Sequence, residues 1–370
     1  MKKVIVSVIN DLVADQRVHK VCMTLRELDF DVLLVGRELP DSPPMDERPY
    51  AWKRMKLLFA KGPLFYAIYN IRIFLFLLFH KANLLISNDL DTLMANFLVS
   101  GLKKIPLVYD SHEYFTEVPE LQGRYARKVW LAIERFIFPK LKDVTTVSRS
   151  IAEAYKQKYG VPVKVVRNLP AEERVETEPV GKEEINVPED WKVIVLQGSG
   201  INRDRGGEEA VLAMKQVDKA VLLIVGGGDA LPAIRKLVEK EGLQEKVRFI
   251  PRQSRKKLYS YTTAADVGLS LDKDICLNYR YSLPNKLFDY IRCGTPVLAS
   301  NLPEVARVIR KYDVGRVLEE YSVEAIADGI RKMLKDDYKH LKAKKLQKAA
   351  DELVWEKEAD ILKNIYRKYL

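Results

Sequence analysis

Cysteine is scarce: 370 residues contain three, Cys22, Cys276 and Cys293, dispersed and without a CxxC pair. An odd, scattered set builds neither a disulfide framework nor a zinc site, and it fits thiols kept reduced in a cytoplasm. A secretory signal is missing as well, because Met1 runs straight into the strand-like KKVIVSVI, so a cytoplasmic chain is expected. No apolar run is long enough to cross a bilayer. The longest, PLFYAIYNIRIFLFLLF from Pro63 to Phe79, is interrupted by Asn70 and Arg72. It falls short of the roughly 20 residues a spanning helix needs, and reads as a buried or interfacial helix. No zinc finger, RNA-recognition motif or basic zipper is present, which argues against a nucleic-acid partner. Nor is there a P-loop, a GxGxxG fingerprint or a short-period repeat, which argues against ATP hydrolysis, dinucleotide binding and a solenoid.

What is present begins with charge. The 62 lysines and arginines exceed the 51 acids by 11, a surplus that favours anionic partners such as phosphorylated small molecules or an acidic membrane face. Short apolar runs alternate with helical patterns, as a parallel α/β sheet covered on both faces requires. Strands are expected at Lys3–Ile9, Asp31–Val35, Leu84–Ser87, Ile105–Tyr109, Val144–Val147 and Val163–Val166. A second series follows at Lys192–Leu196, Ala220–Val225, Val247–Ile250, Val267–Ser270 and Pro296–Ala299. Between them, Ala171 to Asp190 is rich in carboxylates and poor in apolar anchors, and reads as a linker. The expected organisation is therefore a first domain at 1–170, a linker at 171–190 and a second domain at 191–352. A final helix at 353–370 carries an apolar stripe of Trp355, Ile361, Ile365 and Tyr369, and is a candidate to cross back to the first domain.

Three segments carry chemistry. In SLPNKLFDYIRCGTPV, Ser282 suits a helix cap, Pro284 a first turn, and Leu287, Phe288 and Ile291 a buried face. The N-terminus of such a helix suits a diphosphate, Lys286 adds a mobile positive charge, and Asp289 can accept from paired ribose hydroxyls. A capped surface helix with an incidental lysine is the plainer reading of the same residues. In QGSGINRDRGG, between the strand VIVL and a helix near Glu208, the glycines admit a backbone close to a ligand. Arg203 and Arg205 there offer forked donors to phosphate oxygens. VGGGD, Val225 to Asp229, is a Gly-rich strand exit whose plainer reading is a tight turn.

The ordered blocks QGSGINRDRGG, LLIVGGGD, VRFIPRQSRKKLYSYTTAADVGLSL and SLPNKLFDYIRCGTPVLASNLPE resemble the carboxyl-terminal domain of glycosyltransferase family 4. The stretches NDLVADQRVHKVCMTLRELDFDVLLVG and YDSHEYFTEVPE resemble the amino-terminal half of its bacterial members. The resemblance implies a GT-B fold, an α/β architecture of two Rossmann-like doubly wound domains facing across a cleft. It also implies transfer from a UDP- or GDP-linked sugar with retention, no catalytic metal and no further cofactor. Arg205 and Lys286 would stabilise the departing nucleotide, with His112 in YDSHEYF facing the donor. Gly198, Arg203, Arg252 and Asp289 would contact the donor. So would the run Tyr281, Ser282, Leu283, Pro284, Asn285 and Leu287. Asp15 and Arg17 would lie on the acceptor side, although Asp15 also suits a helix N-terminus and Arg17 a carboxylate pair.

Two departures stand out. Tyr281 occupies the first position of the family's paired-glutamate motif and cannot supply a carboxylate to sugar hydroxyls. The loop INDLVADQ lacks the glycines many members carry there. The expected acceptor is a glycan or lipid-linked saccharide in cell-surface polysaccharide or lipopolysaccharide assembly. Basic and aromatic residues at Trp52, Lys53, Arg54, Lys56 and Lys61, and at Arg124, Arg127, Lys128 and Trp130, are candidates for anionic lipid contact, peripheral on the inner face of the cell membrane. Competing readings are a sugar-nucleotide epimerase on the same fold and a non-catalytic module binding anionic ligands or membrane.

Overall fold

Apolar residues stand at consecutive positions in the central strands because both faces of each sheet are covered. The computed structural model describes residues 1–13, 15–40, 42–59, 61–172, 177–335 and 337–370. In β1 (Lys3–Asp11), Val4, Val6 and Val8 enter one core, while Ile5 and Ile9 enter another that holds Tyr69 and Leu93. The pleat alternates side chains, so a run such as VIVSVI serves two layers at once.

The chain divides into two compact units: Met1–Asn168 with Cys276–Tyr281 and Trp355–Leu370, and Leu169–Ile275 with Ser282–Val354. The first contains β1, β2 (Asp31–Glu38), β3 (Ala51–Lys56), β4 (Leu84–Asn88), β5 (Leu107–Ser111), β6 (Asp143–Thr146) and β7 (Val163–Val165). These form one sheet in the order β3-β2-β1-β4-β5-β6-β7, parallel throughout. The second contains β8 (Lys192–Gly198), β9 (Ala220–Gly226), β10 (Val247–Ile250), β11 (Val267–Ser270), β12 (Val297–Ala299) and β13 (Gly315–Val317). Their order is β10-β9-β8-β11-β12-β13, again parallel. Each unit is a doubly wound, Rossmann-like layer whose order reverses beside its first strand, the place where such sheets open a crevice beyond their carboxyl ends.

Three features depart from the sequence-based expectation. β3 and β13 are additional strands at sheet edges. Ala171 to Asp190 is not a free linker: its described part belongs to the second unit, where Val180, Ile185 and Val187 are buried in the core. Three apolar anchors suffice to hold a carboxylate-rich stretch when they fall on one covered face. The segment Cys276–Tyr281 belongs to the first unit although the second surrounds it in sequence. Asn278 holds it there, accepting from the Tyr114 amide at 2.9 Å and donating to Glu113 at 3.2 Å.

The final helix, Trp355–Tyr366, is also part of the first unit. Trp355 and Ile365 are buried, with Ile361 and Tyr369 packed beside them, on a core that includes Val18, Val21 and Leu25. Glu358 accepts from the Arg167 amide at 2.7 Å and from its Nε at 2.9 Å. The apolar stretch Pro63–Phe79 forms one helix, and no described helix is long and apolar enough to cross a membrane.

Candidate functional site

In the second unit, the crevice of interest lies beyond the ends of β8 and β11, where the strand order reverses. Asp272 stands two residues past β11 and is 1% exposed. Arg205 Nη1 donates to its Oδ1 at 2.8 Å, and Lys286 Nζ lies 3.1 Å from Oδ2. Burial disfavours the ionised carboxyl, but Lys286 and Arg205 outweigh that and hold it below the usual carboxylate range. Both cations retain some solvent access, 26% for the Arg205 side chain and 12% for that of Lys286. A buried carboxylate thus orients two cations that solvent still reaches.

Local backbone chemistry explains how they meet. Gly206 has φ +79°, and a Cβ there would sit 2.3 Å from that of Leu271. Only glycine lets this turn lie on the end of β11 and deliver Arg205 to Asp272. The Lys273 amide donates to the Asp204 carbonyl at 2.9 Å, and Ser300 Oγ to the Asp272 carbonyl at 2.6 Å.

Lys286 projects from the helix Asn285–Arg292. Here the structure amends the expected cap: the helix starts at Asn285, Pro284 occupies the cap position, and no side chain caps the end. Ser282, Leu283 and Pro284 are half-buried before it, and Asn285 is exposed. Leu287, expected on the donor surface, is fully buried with Phe288 and Ile291 in the core, so only its backbone can take part. Asp289 Oδ1 accepts from Tyr259 at 3.0 Å and Oδ2 from Gln197 at 3.4 Å. This orients the carboxylate from two elements.

The Gly-rich segments mainly serve each other. Gly226 has φ +133°, and a Cβ there would lie 1.9 Å from the Gly198 carbonyl. The Gly227 amide donates to Gly198 at 3.1 Å, and its carbonyl accepts from Ile201 at 2.7 Å. The glycines expected to admit a ligand thus allow two loops to pack together. Arg252 lies over Gly227 and donates to the Ser199 carbonyl at 2.9 Å, closing the same turn. Arg203 is exposed, with its amide donating to Asp229 at 3.2 Å. Tyr281 belongs to the first unit, where its ring stacks on Tyr114 at 6.4 Å between centroids.

In the first unit, His112 follows β5. Its Nε2 lies 3.1 Å from Asn88 Oδ1 and 3.2 Å from Asp110 Oδ2, and Nδ1 lies 3.4 Å from Asp89. The His112 amide donates to Asp89 at 2.7 Å. Burial favours the neutral ring, but Asp89 and Asp110 overcome it and push the imidazole up to about 9. At neutral pH this is a cation suited to stabilising negative charge rather than to accepting a proton. Glu113 beside it is pushed up to about 7, first by burial and then by Asp89. Arg17 is turned inward and only 4% exposed, donating to Asp110 at 2.8 and 3.1 Å and to the Val166 carbonyl at 2.8 Å. The carboxylate-pair reading is thus the one its geometry matches. Asp15 caps the helix Gln16–Glu27, accepting from the Val18 amide at 3.0 Å. Among the described residues, no group of three or more histidine, cysteine or acidic side chains is placed to hold a metal ion.

Asp272, Asp110, Asn88 and Tyr259 were not anticipated. For the two aspartates, the available signal was an acid at or just beyond the carboxyl end of an apolar run.

The geometry defines a class: a two-unit, doubly wound α/β protein with a cationic crevice at a strand-order reversal. A family model described as "Glycosyl transferases group 1" matches residues 182–353, and "Glycosyltransferase Family 4" matches residues 14–169. The chain belongs to glycosyltransferase family 4. A GDP-mannose-dependent alpha-(1-6)-phosphatidylinositol monomannoside mannosyltransferase from Mycobacterium tuberculosis is 28% identical over 130 residues, 33% of this chain and 32% of that protein. The match therefore spans about a third of the length of that relative. A sucrose-phosphate synthase from Thermosynechococcus elongatus superposes with a TM-score of 0.80 at 18% identity, covering 100% of this chain and 99% of that one. Anabaena HepE in complex with UDP-glucose gives a TM-score of 0.76 at 13% identity, covering both chains fully (100%). These likenesses establish the GT-B fold class.

Proposed function

We propose that the chain transfers a sugar from a nucleoside-diphosphate sugar to a glycan or lipid-linked acceptor. The observation that carries this reading is the pair Arg205 and Lys286, oriented by buried Asp272 beside a helix start that no side chain caps. Glycosidic cleavage leaves negative charge on the departing diphosphate. Preorganised cations facing that charge need no reorganisation at the moment of reaction, and removing one such donor typically costs about 2.7–4 kcal/mol of the barrier. The start of the helix Asn285–Arg292 adds its partial positive charge. In this reading Asp289, held by Tyr259 and Gln197, accepts from the ribose, and a role for cationic His112 toward the donor rests on the family resemblance alone. Arg205 and Lys286 supply the charge that a metal ion would otherwise bring, so turnover should persist in chelator. Retention follows the family resemblance, and NMR of the product's anomeric proton reads it directly. The names of the mannosyltransferase and of the HepE complex support GDP- or UDP-linked donors.

A thermal-shift panel with UDP, GDP, ADP and CMP tests the site. A ligand at about 100 times its dissociation constant stabilises the folded form by about 2.7 kcal/mol. One or more nucleoside diphosphates should shift the native chain, and Lys286→Ala should abolish the shift while unfolding cooperatively. An equal shift in both proteins would remove the donor site from this crevice.

A further inference from the structure

Strand β8 ends on a buried amide. Gln197 is 2% exposed, and its backbone N–H donates to Tyr290 Oη at 3.2 Å. Tyr290 Oη in turn donates to the Leu269 carbonyl at 3.0 Å. Its ring lies so close over Gly268 that a Cβ there would be 2.6 Å from the ring Cγ. The helix Asn285–Arg292 is thereby pinned to β8 and β11 by the residue next to Asp289.

The Gln197 side chain has two partners. Thr262 Oγ1 lies 2.6 Å from its Oε1, and its Nε2 lies 3.4 Å from Asp289 Oδ2. Thr262, on the helix Arg255–Ala264, is fully buried, and its hydroxyl oxygen is also 2.8 Å from the Leu258 carbonyl. A threonine hydroxyl has one hydrogen and donates it to one of these oxygens at a time. The choice is made at the far end of the amide. Ionised Asp289 only accepts, so a reversed Gln197 would set its carbonyl oxygen against a carboxylate oxygen, a costly opposition out of water. Nε2 therefore faces Asp289, Oε1 faces Thr262, and the hydroxyl hydrogen goes to Oε1.

Tyr259, one turn earlier on the helix of Thr262, is 4% exposed and donates to Asp289 Oδ1 at 3.0 Å. One donor on each oxygen fixes the plane of the carboxylate. Thr262, Gln197 and Tyr259 are all buried and Asp289 is half-buried, so of these four the carboxylate is the one that solvent reaches.

We propose that Gln197, locked by Thr262, is the positioning residue that sets how strongly the chain distinguishes ribose from 2′-deoxyribose in its nucleotide donor. This rests on the reading in which Asp289 accepts from the ribose. A pair of neighbouring hydroxyls meets both oxygens of a carboxylate in one orientation, and a carboxylate free to turn loses rotamer entropy when it is caught there. Donors that hold it beforehand remove that cost. Gln197 acts through Asp289 and needs no contact with the nucleotide. A merely structural role at the end of β8 would weaken the fold, but it would not change the preference between two sugars that differ by one hydroxyl.

The test is calorimetric binding of UDP against 2′-deoxy-UDP and of GDP against 2′-deoxy-GDP to the full chain. A hydrogen bond to a charged group is strong enough that the native chain should prefer the ribonucleotide by roughly tenfold or more. Gln197→Met and Thr262→Val should each lower that preference by roughly threefold or more, the size of an ordinary hydrogen bond. Thr262→Ser keeps the hydroxyl and should keep the native preference. In Gln197→Met the Thr262 hydroxyl can still donate to Leu258, so this variant should unfold cooperatively near the native temperature. The proposal is overturned if the native chain binds both sugars equally, or if the two folded variants keep the native preference. It is equally overturned if Thr262→Ser loses as much as Thr262→Val, which would assign the effect to packing. Absence of all nucleotide binding in the native chain would remove the donor site and this role together, whereas an unmoved preference on intact binding removes this role alone.

Discussion

Each unit places a buried aspartate near a strand end and gives it two cations, yet the two groupings do different work. Asp110 ends among Arg17, His112 and Thr145; Arg17 is only 4% exposed, so its charge is satisfied internally, while the His112 side chain at 15% keeps some access to solvent. Asp272 holds Arg205 and Lys286, both of which keep a route to solvent. The first arrangement fixes a backbone corner and sets the charge of one imidazole. The second holds two cations that stay partly open to solvent. What separates the two groupings is whether the guanidinium is enclosed along with its carboxylate, as in Arg17, or left partly open, as in Arg205.

The largest expected effect breaks the first grouping. Asp110→Ala leaves the Arg17 charge buried without its partner, a class of change that costs about 3–5 kcal/mol. Urea unfolding of the first unit reads this through Trp52, Trp130 and Trp355. Asp272→Ala should cost the second unit less, about 1–3 kcal/mol, because its cations can rehydrate. Equal losses would erase the distinction between the units.

Next in size is the response of His112 to pH. Its folded value near 9 exceeds the ordinary 6.5, so the folded chain holds a proton that the unfolded chain has released. That stabilisation is complete below 6.5 and disappears as pH rises through about 9. Unfolding temperature should therefore fall with pH above neutrality in the native chain and more shallowly in His112→Asn. The series belongs above the Glu113 range near 7. Parallel slopes would mean that Asp89 and Asp110 do not hold the imidazolium.

Smaller again is Asp272→Asn on nucleotide affinity. If the carboxylate orients Arg205 and Lys286, UDP or GDP should bind more weakly by about 1 kcal/mol in calorimetry. Tighter binding would show that Asp272 merely competes with phosphate. The smallest change is expected for Tyr281→Phe, which lies in the first unit: nucleotide affinity should move by less than about 0.5 kcal/mol. A larger loss would return Tyr281 to the donor contacts.

The strands legible in the sequence were those covered on both faces, such as β1 and β8, since consecutive apolar residues leave few alternatives. β3 escaped notice because AWKRMK is charged at three of its six positions and fully buries Met55 alone. β13 has three residues, too few to display a period. The loop bearing Arg205 and the helix bearing Lys286 were legible as well, from turn glycines, an apolar helical face and the order of four blocks. Their shared anchor was not. Asp272 lies 67 residues from Arg205, and Asp110 lies 93 from Arg17.

The sequence by itself determined two parallel α/β layers, the family and the segments that carry cationic chemistry, because these follow from local periodicity and ordered motifs. Only the tertiary structure decided that Arg17 is enclosed while Arg205 and Lys286 face a crevice, that Tyr281 sits with the first unit, and that Thr262, Gln197 and Asp289 join in one network. Burial and pairing depend on contacts between residues far apart in the chain, and no local pattern encodes which carboxylate a given cation will meet.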